Sequence, residues 1–226
     1  MLKKFTLFDL LRRYLWFMIG LFLNAIGVAL ITKANLGTSP IAAIPYSLSL
    51  VLPHFSLGQW TIIFSIFLII CQIFLDKWPL NWVQLGWQTI ISFIFGDCID
   101  WAMNCLKNLN PAFYWQALLY LLLGCLIIAG GAYLEVIADV VMLPGDAFVR
   151  AICHRWTSEY GPVRVCSDIS MSLLGAIICL IWLHNLKGAR EGTLISALLV
   201  GSLIKFLTKK LQPVTSWLLT GKFKIF

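Results

Sequence analysis

Four charged residues in the second half of the chain stand in two pairs, Asp146 with Arg150 and Arg164 with Asp168, each pair four positions apart. On a helix that spacing puts both side chains on one face, where opposite charges either neutralise each other or together present a polar surface to a solute. Asp139, four positions after Glu135, adds a carboxylate just before the first pair. The chemistry on offer is the binding of a small polar or charged solute. Bond-breaking chemistry has less behind it: the chain has no nucleotide-binding loop, no HExxH and no GxSxG. Asp97 and Asp146 each follow a glycine, and two carboxylates sharing a proton would serve an intramembrane aspartyl-type enzyme, but no further motif accompanies them. The expectation is a non-enzyme without catalytic residues, with the aspartyl-type hydrolase as an alternative.

Metal and cofactor chemistry are not expected either. Cys71, Cys98, Cys105, Cys125, Cys166 and Cys179 lie in or beside apolar runs without CxxC spacing and read as buried, inert thiols. Cys153 and His154 are adjacent, so on a helix they point apart and do not share a metal.

The elements that must hold these residues are apolar. Of the 226 residues, 60% are hydrophobic and 12% charged, and the apolar ones form runs near the roughly 20 residues that cross a bilayer. Backbone amides in hydrocarbon must be paired within their own segment, so the runs predict helices; no short alternating pattern predicts a barrel. The fold class is an all-α polytopic membrane protein. A net charge of +7 would point to nucleic acid in a soluble chain, but Lys3, Lys4, Arg12, Arg13, Lys209, Lys210, Lys222 and Lys224 flank apolar runs. They predict cytoplasmic termini in contact with anionic lipid, and no nucleic-acid partner. Arg12 and Arg13 also resemble the start of a secretory signal, yet the run ends at "TKANLG" without a small-residue cleavage site, so it is expected to be retained.

The chain repeats itself. Displaced by 104 residues, Gly20 meets Gly124, Ala25 meets Ala129, Gly27 meets Gly131, Leu30 meets Leu134, Ala34 meets Ala138, Pro40 meets Pro144 and Ala43 meets Ala147. At a displacement of 105, Gly96 meets Gly201. Two homologous halves are expected, 1–109 with an N-terminal interfacial segment and 110–208, followed by an interfacial cytoplasmic tail, 209–226, all in one membrane domain. Each half reads as three long helices and one short proline-started segment: 14–33, 39–53, 58–75 and 84–105, then 115–138, 144–156, 163–184 and 190–208.

The short segments explain an interruption in the apolar pattern. In "ANLGTSP", Gly37 breaks the preceding helix and Ser39 can cap a new one whose first turn begins at Pro40; Pro144 and Gly145 repeat the device in "MLPGD". Paired, Gly/Pro-interrupted segments at matching positions of two halves point to a transporter's binding site. The plainer alternative is two ordinary helices after ordinary loops. If both segments cross the bilayer the halves are parallel; if both re-enter, the halves are inverted. Residues 39–53, joined to their flanks, favour crossing, whereas 144–156 is too short and polar to do so.

The charges sit in one copy only. Asp139, Asp146, Arg150, Arg164 and Asp168 have Asn35, Ala42, Tyr46, Trp60 and Phe64 as counterparts. A solute site lined by those five residues, with Ser39 and Tyr46 from the first half, is weighed against a purely structural ion-pair network. Asp100 falls opposite Lys205 in the alignment and could pair with it across the halves; solvated helix ends are the alternative. Gly192, Thr193 and Ser196 predict close helix packing. Trp16, Trp78, Trp82, Trp115, Trp182 and Trp217 lie near span ends and read as interfacial anchors.

The stretches "GVALITKANLGTSPIAAIPYSLS", "LPGDAFVRAI", "GPVRVCSDISMSLLGAII" and "GTLISALLVGSLIKF" together resemble the bacterial YczE/YyaS/YitT-type integral membrane proteins over most of the chain. The resemblance implies a multi-pass protein of the bacterial inner membrane, presumed a transporter, and brings no substrate with it. Lys205 stands where the resemblance would place an aspartate. The functional expectation is a secondary transporter or permease for a small polar or charged solute, with a small-molecule or lipid ligand and a homo-oligomer compatible with it. The alternatives are a lipid-handling or membrane-assembly protein and, third, the aspartyl-type enzyme.

Overall fold

The structure is a computed structural model that describes residues 7–76, 81–185, 188 and 190–210. Lys3, Lys4, Trp78, Lys187 and the tail beyond residue 210, with Trp217, Lys222 and Lys224, lie outside the described residues. Every regular element among the described residues is helical: α1 (Leu7–Lys33), α2 (Ala43–Val51) led by a 3-10 turn at Pro40–Ala42, α3 (Leu57–Leu75), α4 (Trp82–Cys105), α5 (Tyr114–Ala138), α6 (Pro144–Trp156), α7 (Tyr160–Leu183) and α8 (Glu191–Lys210). Four of them, α1, α3, α5 and α7, are long and apolar enough to cross a membrane.

Local chemistry sets the boundaries. Ser56 and Gln59 form a capping box at the start of α3, and Asn81 accepts from the Gln84 amide at the start of α4. Helices α5, α6 and α7 end at left-handed Asp139, Thr157 and His184, and Asn35, also left-handed, follows α1. Asn35 and Asp139 are 104 residues apart, and short polar side chains tolerate that conformation best among non-glycine residues. Pro40 and Pro144 both sit in a first turn, where a missing N–H removes no bond. Ser39 holds the cap position but its hydroxyl makes no capping bond; the oxygen is buried without a partner, so the proline rather than the serine starts that turn.

The most extensive packing is between α1 and α5. They run antiparallel: a Cβ placed on Gly20 would lie 2.7 Å from the Gly131 carbonyl oxygen, and one on Gly27 would lie 2.9 Å from that of Gly124. Glycines let the two backbones touch, which is how helices associate tightly where lipid removes the hydrophobic drive. Tyr14 against Trp87 and Phe22 against Trp101 set α4 parallel to α1. Gly58 meets Gly96 where α3 turns back along α4.

Each short helix packs on a long helix distant in sequence. Helix α2 packs on α7, and α6 packs on α3. The Ser47 hydroxyl donates to the Gly175 carbonyl at 2.8 Å, and Gly175 faces the Ala43 carbonyl. The segment expected at 39–53 forms a shorter helical stretch than the long helices around it. The turn and α2 together cover residues 40–51, about 18 Å at 1.5 Å per residue, against a hydrocarbon core of about 30 Å. Thr38 lies beside Thr193 and Ser196 of α8, and α2 then runs back toward Gly188, near the end where α1 stopped.

Side-chain exposure divides the expected anchors and thiols. Trp82, Trp115 and Trp182 are exposed near helix ends, but Trp16 packs on Tyr133 and Ile137 with its indole N–H buried and unpaired, so it is a seam residue. Cys125 and Cys179 are buried as expected; Cys105 and Cys166 are exposed instead.

Candidate functional site

The starts of the two short helices meet. A Cβ on Gly145 would collide with the Ile41 side chain, and the space beside them is lined by Pro144, Phe64, Leu68 and Phe95. It holds only about 30 Å³, room for one or two waters, so the centre is closed in this conformation. The backbone leading into α2 is satisfied by α8. The Gly192 amide donates to the Leu36 carbonyl at 2.8 Å, the Thr38 amide to Thr193 Oγ1 at 3.1 Å, and Ser196 Oγ to the Thr38 carbonyl at 3.4 Å. Gly37 makes this approach at φ 117°, and Thr193 occupies the space where a Cβ would stand. Small hydroxyl residues in α8 therefore supply the partners that a non-helical stretch needs away from water.

The second short helix carries the charge. Asp146 is in the first turn of α6, where the helix dipole favours a carboxylate. Its partner is Arg164 of α7, not Arg150: Arg164 Nη1 is in contact with Asp146 Oδ1, and Arg164 Nε lies 3.3 Å from Asp168 Oδ2. The Tyr160 hydroxyl completes the group, donating to Asp146 at 3.5 Å and accepting from Arg164 at 3.3 Å. The three-residue turn at 157–159 folds α7 back along α6, and that sets Arg164 between the two carboxylates. Removing it leaves two half-buried carboxylates facing each other. We expect Arg164→Ala to lower stability by about 1–2 kcal/mol, between a surface and a buried pair, with Asp146→Asn restoring part of it. A double-mutant cycle of thermal melts in detergent measures this coupling.

Arg150 is left outside the group. Its Nη1 donates only to the Met142 sulfur, at 3.4 Å, and no carboxylate lies within 4 Å of it among the described residues. The guanidinium lines an open cavity of about 450 Å³ with Met142, Cys153, His154, Ser158 and Tyr160. Such a volume admits a small organic ion. An arginine offers five donors in a planar fork, and a thioether uses almost none of that capacity.

Other expected members lie elsewhere. Asp139 is exposed at the end of α5 and makes no polar side-chain contact with the group. Tyr46 packs against the apolar cluster around Phe17, Leu57 and Phe95. Asp100 does not pair with Lys205: it accepts from Ser56 Oγ and from the Gly58 amide at 2.8 Å, tying α4 to the start of α3, while Lys205 is exposed. Asp97 is exposed on α4, whereas Asp146 is held by Arg164. No group of three or more His, Cys, Asp or Glu side chains among the described residues could hold a metal ion. The polar residues that spacing did not select are buried amides, Asn24 and Gln88; Gln88 is fully buried with both side-chain polar atoms unpaired. An amide inside an apolar run was the only signal for either.

An uncharacterized protein of Haemophilus influenzae is 26% identical over 181 residues, which cover 80% of this chain and 76% of that protein. The uncharacterized protein YyaS of Bacillus subtilis is 33% identical over 97 residues, 42% of this chain and 45% of that protein. No solved structure matches the chain. A family of unknown function, DUF6198, matches residues 11–209, from the second turn of α1 to the last turn of α8 and so through both short helices and the cavity. The chain belongs to the DUF6198 family.

Proposed function

We propose that this chain is a secondary transporter of the bacterial inner membrane for a small charged solute, and that the solute is an anion held by Arg150. The observation that carries this is the guanidinium that lines an open cavity without a carboxylate partner. An arginine whose fork is free recognises carboxylate or phosphate by charge-assisted bonds. Helices α4 and α8, 24 and 20 residues long, reach about 36 and 30 Å and complete six crossings with α1, α3, α5 and α7.

The two halves are inverted about a pseudo-two-fold axis. Under the displacement of 104, contact Gly20–Gly131 becomes Gly124–Gly27, which is the other contact in the same seam. Such exchange is the mark of an isologous interface. Gly145 and Ile41, themselves 104 apart, touch because they lie on the axis. Helices α2 and α6 then re-enter from opposite faces and meet at mid-membrane, the arrangement from which alternating access is built. Both termini are cytoplasmic.

The test is solute flux in proteoliposomes carrying the full chain, with phosphate, succinate, choline and glycerol as probes. At least one anion is expected to cross faster than in protein-free vesicles. Flux of choline or glycerol alone would overturn the anion assignment, and leak-level flux of all four would overturn transport.

A further inference from the structure

The α1–α5 seam contains an ionisable side chain that the cavity does not use. Glu135 Oε1 accepts a hydrogen bond from Asn24 Nδ2 at 2.7 Å, across 111 residues of chain, and both residues are only 9% exposed. Asn24 Oδ1 is buried without a hydrogen-bond partner. The pair fills the space left by two glycines: a Cβ on Gly20 would lie 3.1 Å from Glu135 Cγ, and one on Gly131 would lie 3.0 Å from Asn24 Oδ1.

The same seam shows what packing alone requires. Displaced by 104 residues, Asn24 becomes Ile128 and Glu135 becomes Ile31. Those isoleucines fill the equivalent spaces, each with Cγ1 2.5 Å from where a Cβ on Gly27 or Gly124 would stand. Two apolar side chains therefore do in one copy what a carboxyl and an amide do in the other. Ionisable side chains buried in an apolar helix are costly and rare, so the polar copy needs a purpose beyond filling space.

We infer that Glu135 is a proton-exchange site, with Asn24 its positioning residue, set in the seam along which the two halves move. In the step, an O–H bond of hydronium breaks and its proton forms an O–H bond on the Glu135 carboxylate, leaving water; nothing is oxidised or reduced. Around it, Asp139 lies one turn on along α5 and is exposed, Arg13 of α1 donates from Nη1 to the Ala138 carbonyl at 2.9 Å, and Lys205 of α8 is exposed. Asn24 is the group that reaches the carboxyl. That the proton drives a solute rests on the transporter proposed above; the protonation itself does not.

The test is pH-induced infrared difference spectroscopy of the full chain in liposomes. The wild type should give a protonated-carboxyl C=O band that Glu135→Gln removes and Asn24→Leu shifts, since the leucine takes away the bonded amide. Glutamine can keep the bond to Asn24, so Glu135→Gln should melt like the wild type. Superimposable wild-type and Glu135→Gln spectra would overturn the site, and should that variant not fold, a band unmoved by Asn24→Leu would do so. The spectra need no solute: a missing band with flux intact removes the proton site alone, and missing flux with the band intact removes the transporter alone.

Discussion

Arg150→Ala should raise the KM for anion flux in proteoliposomes about tenfold to hundredfold, the loss of one charge-assisted hydrogen-bonding group worth about 1.5–3 kcal/mol. Arg150→Lys should recover only part of this, because an ammonium restores the charge but not the planar fork. The fold should survive both changes, since Arg150 ties down no carboxylate and its one contact is a thioether sulfur. Thermal melts in detergent check that point. The variants thus separate a solute contact from a structural one, which Arg164 is not suited to do, standing as it does between Asp146 and Asp168. An unchanged KM in Arg150→Ala, with flux present, would move the solute away from the cavity.

Gly27→Ala should destabilise the chain by about 2–3 kcal/mol and lower its melting temperature by about 5–10 °C. The added methyl would stand 2.5 Å from Ile128 Cγ1 and 2.9 Å from the Gly124 carbonyl oxygen. A side chain can turn aside; a helix backbone can yield only if the whole α1–α5 seam widens, and every close contact along it is then lost. Gly86→Ala is the control. Nothing lies within 4 Å of a Cβ at that position on α4, so helix propensity alone applies and the variant should be up to about 1 kcal/mol more stable. Equal melting of the two variants would show that the seam is not held by backbone contact.

Much of this architecture is legible in the residues. Proline, glycine and the left-handed polar caps fall where apolar runs break, so seven of the segments begin within three residues of their expected starts, α1 alone starting earlier, at Leu7. Tertiary partners are less accessible. The four-residue spacing that joined Asp146 to Arg150 considers one helix at a time; the turn at 157–159 brings a second helix alongside, and Arg164 reaches Asp146 first. The Asp100–Lys205 pair, weighed in the sequence against solvated helix ends, does not form, for a geometric reason. Helix α4 packs on α1 and α3, whereas α8 packs on α5 and α7, so the two residues stand on helices that do not adjoin. Glu135 was visible as a charge in an apolar run, but its partner Asn24 lies 111 residues away and no periodicity links them.

The inverted arrangement is tested most directly by the side from which two loops can be labelled. In a chain with its seven cysteines replaced, single cysteines are introduced as Phe55→Cys, between α2 and α3, and Ser158→Cys, between α6 and α7. Each is reacted with a membrane-impermeant maleimide in right-side-out and inside-out vesicles. Re-entrant helices in inverted halves place the two thiols on opposite faces, so Phe55→Cys should label only from the periplasm and Ser158→Cys only from the cytoplasm. Labelling of both from the same face would mean that the short helices cross in parallel halves, and would contradict the account.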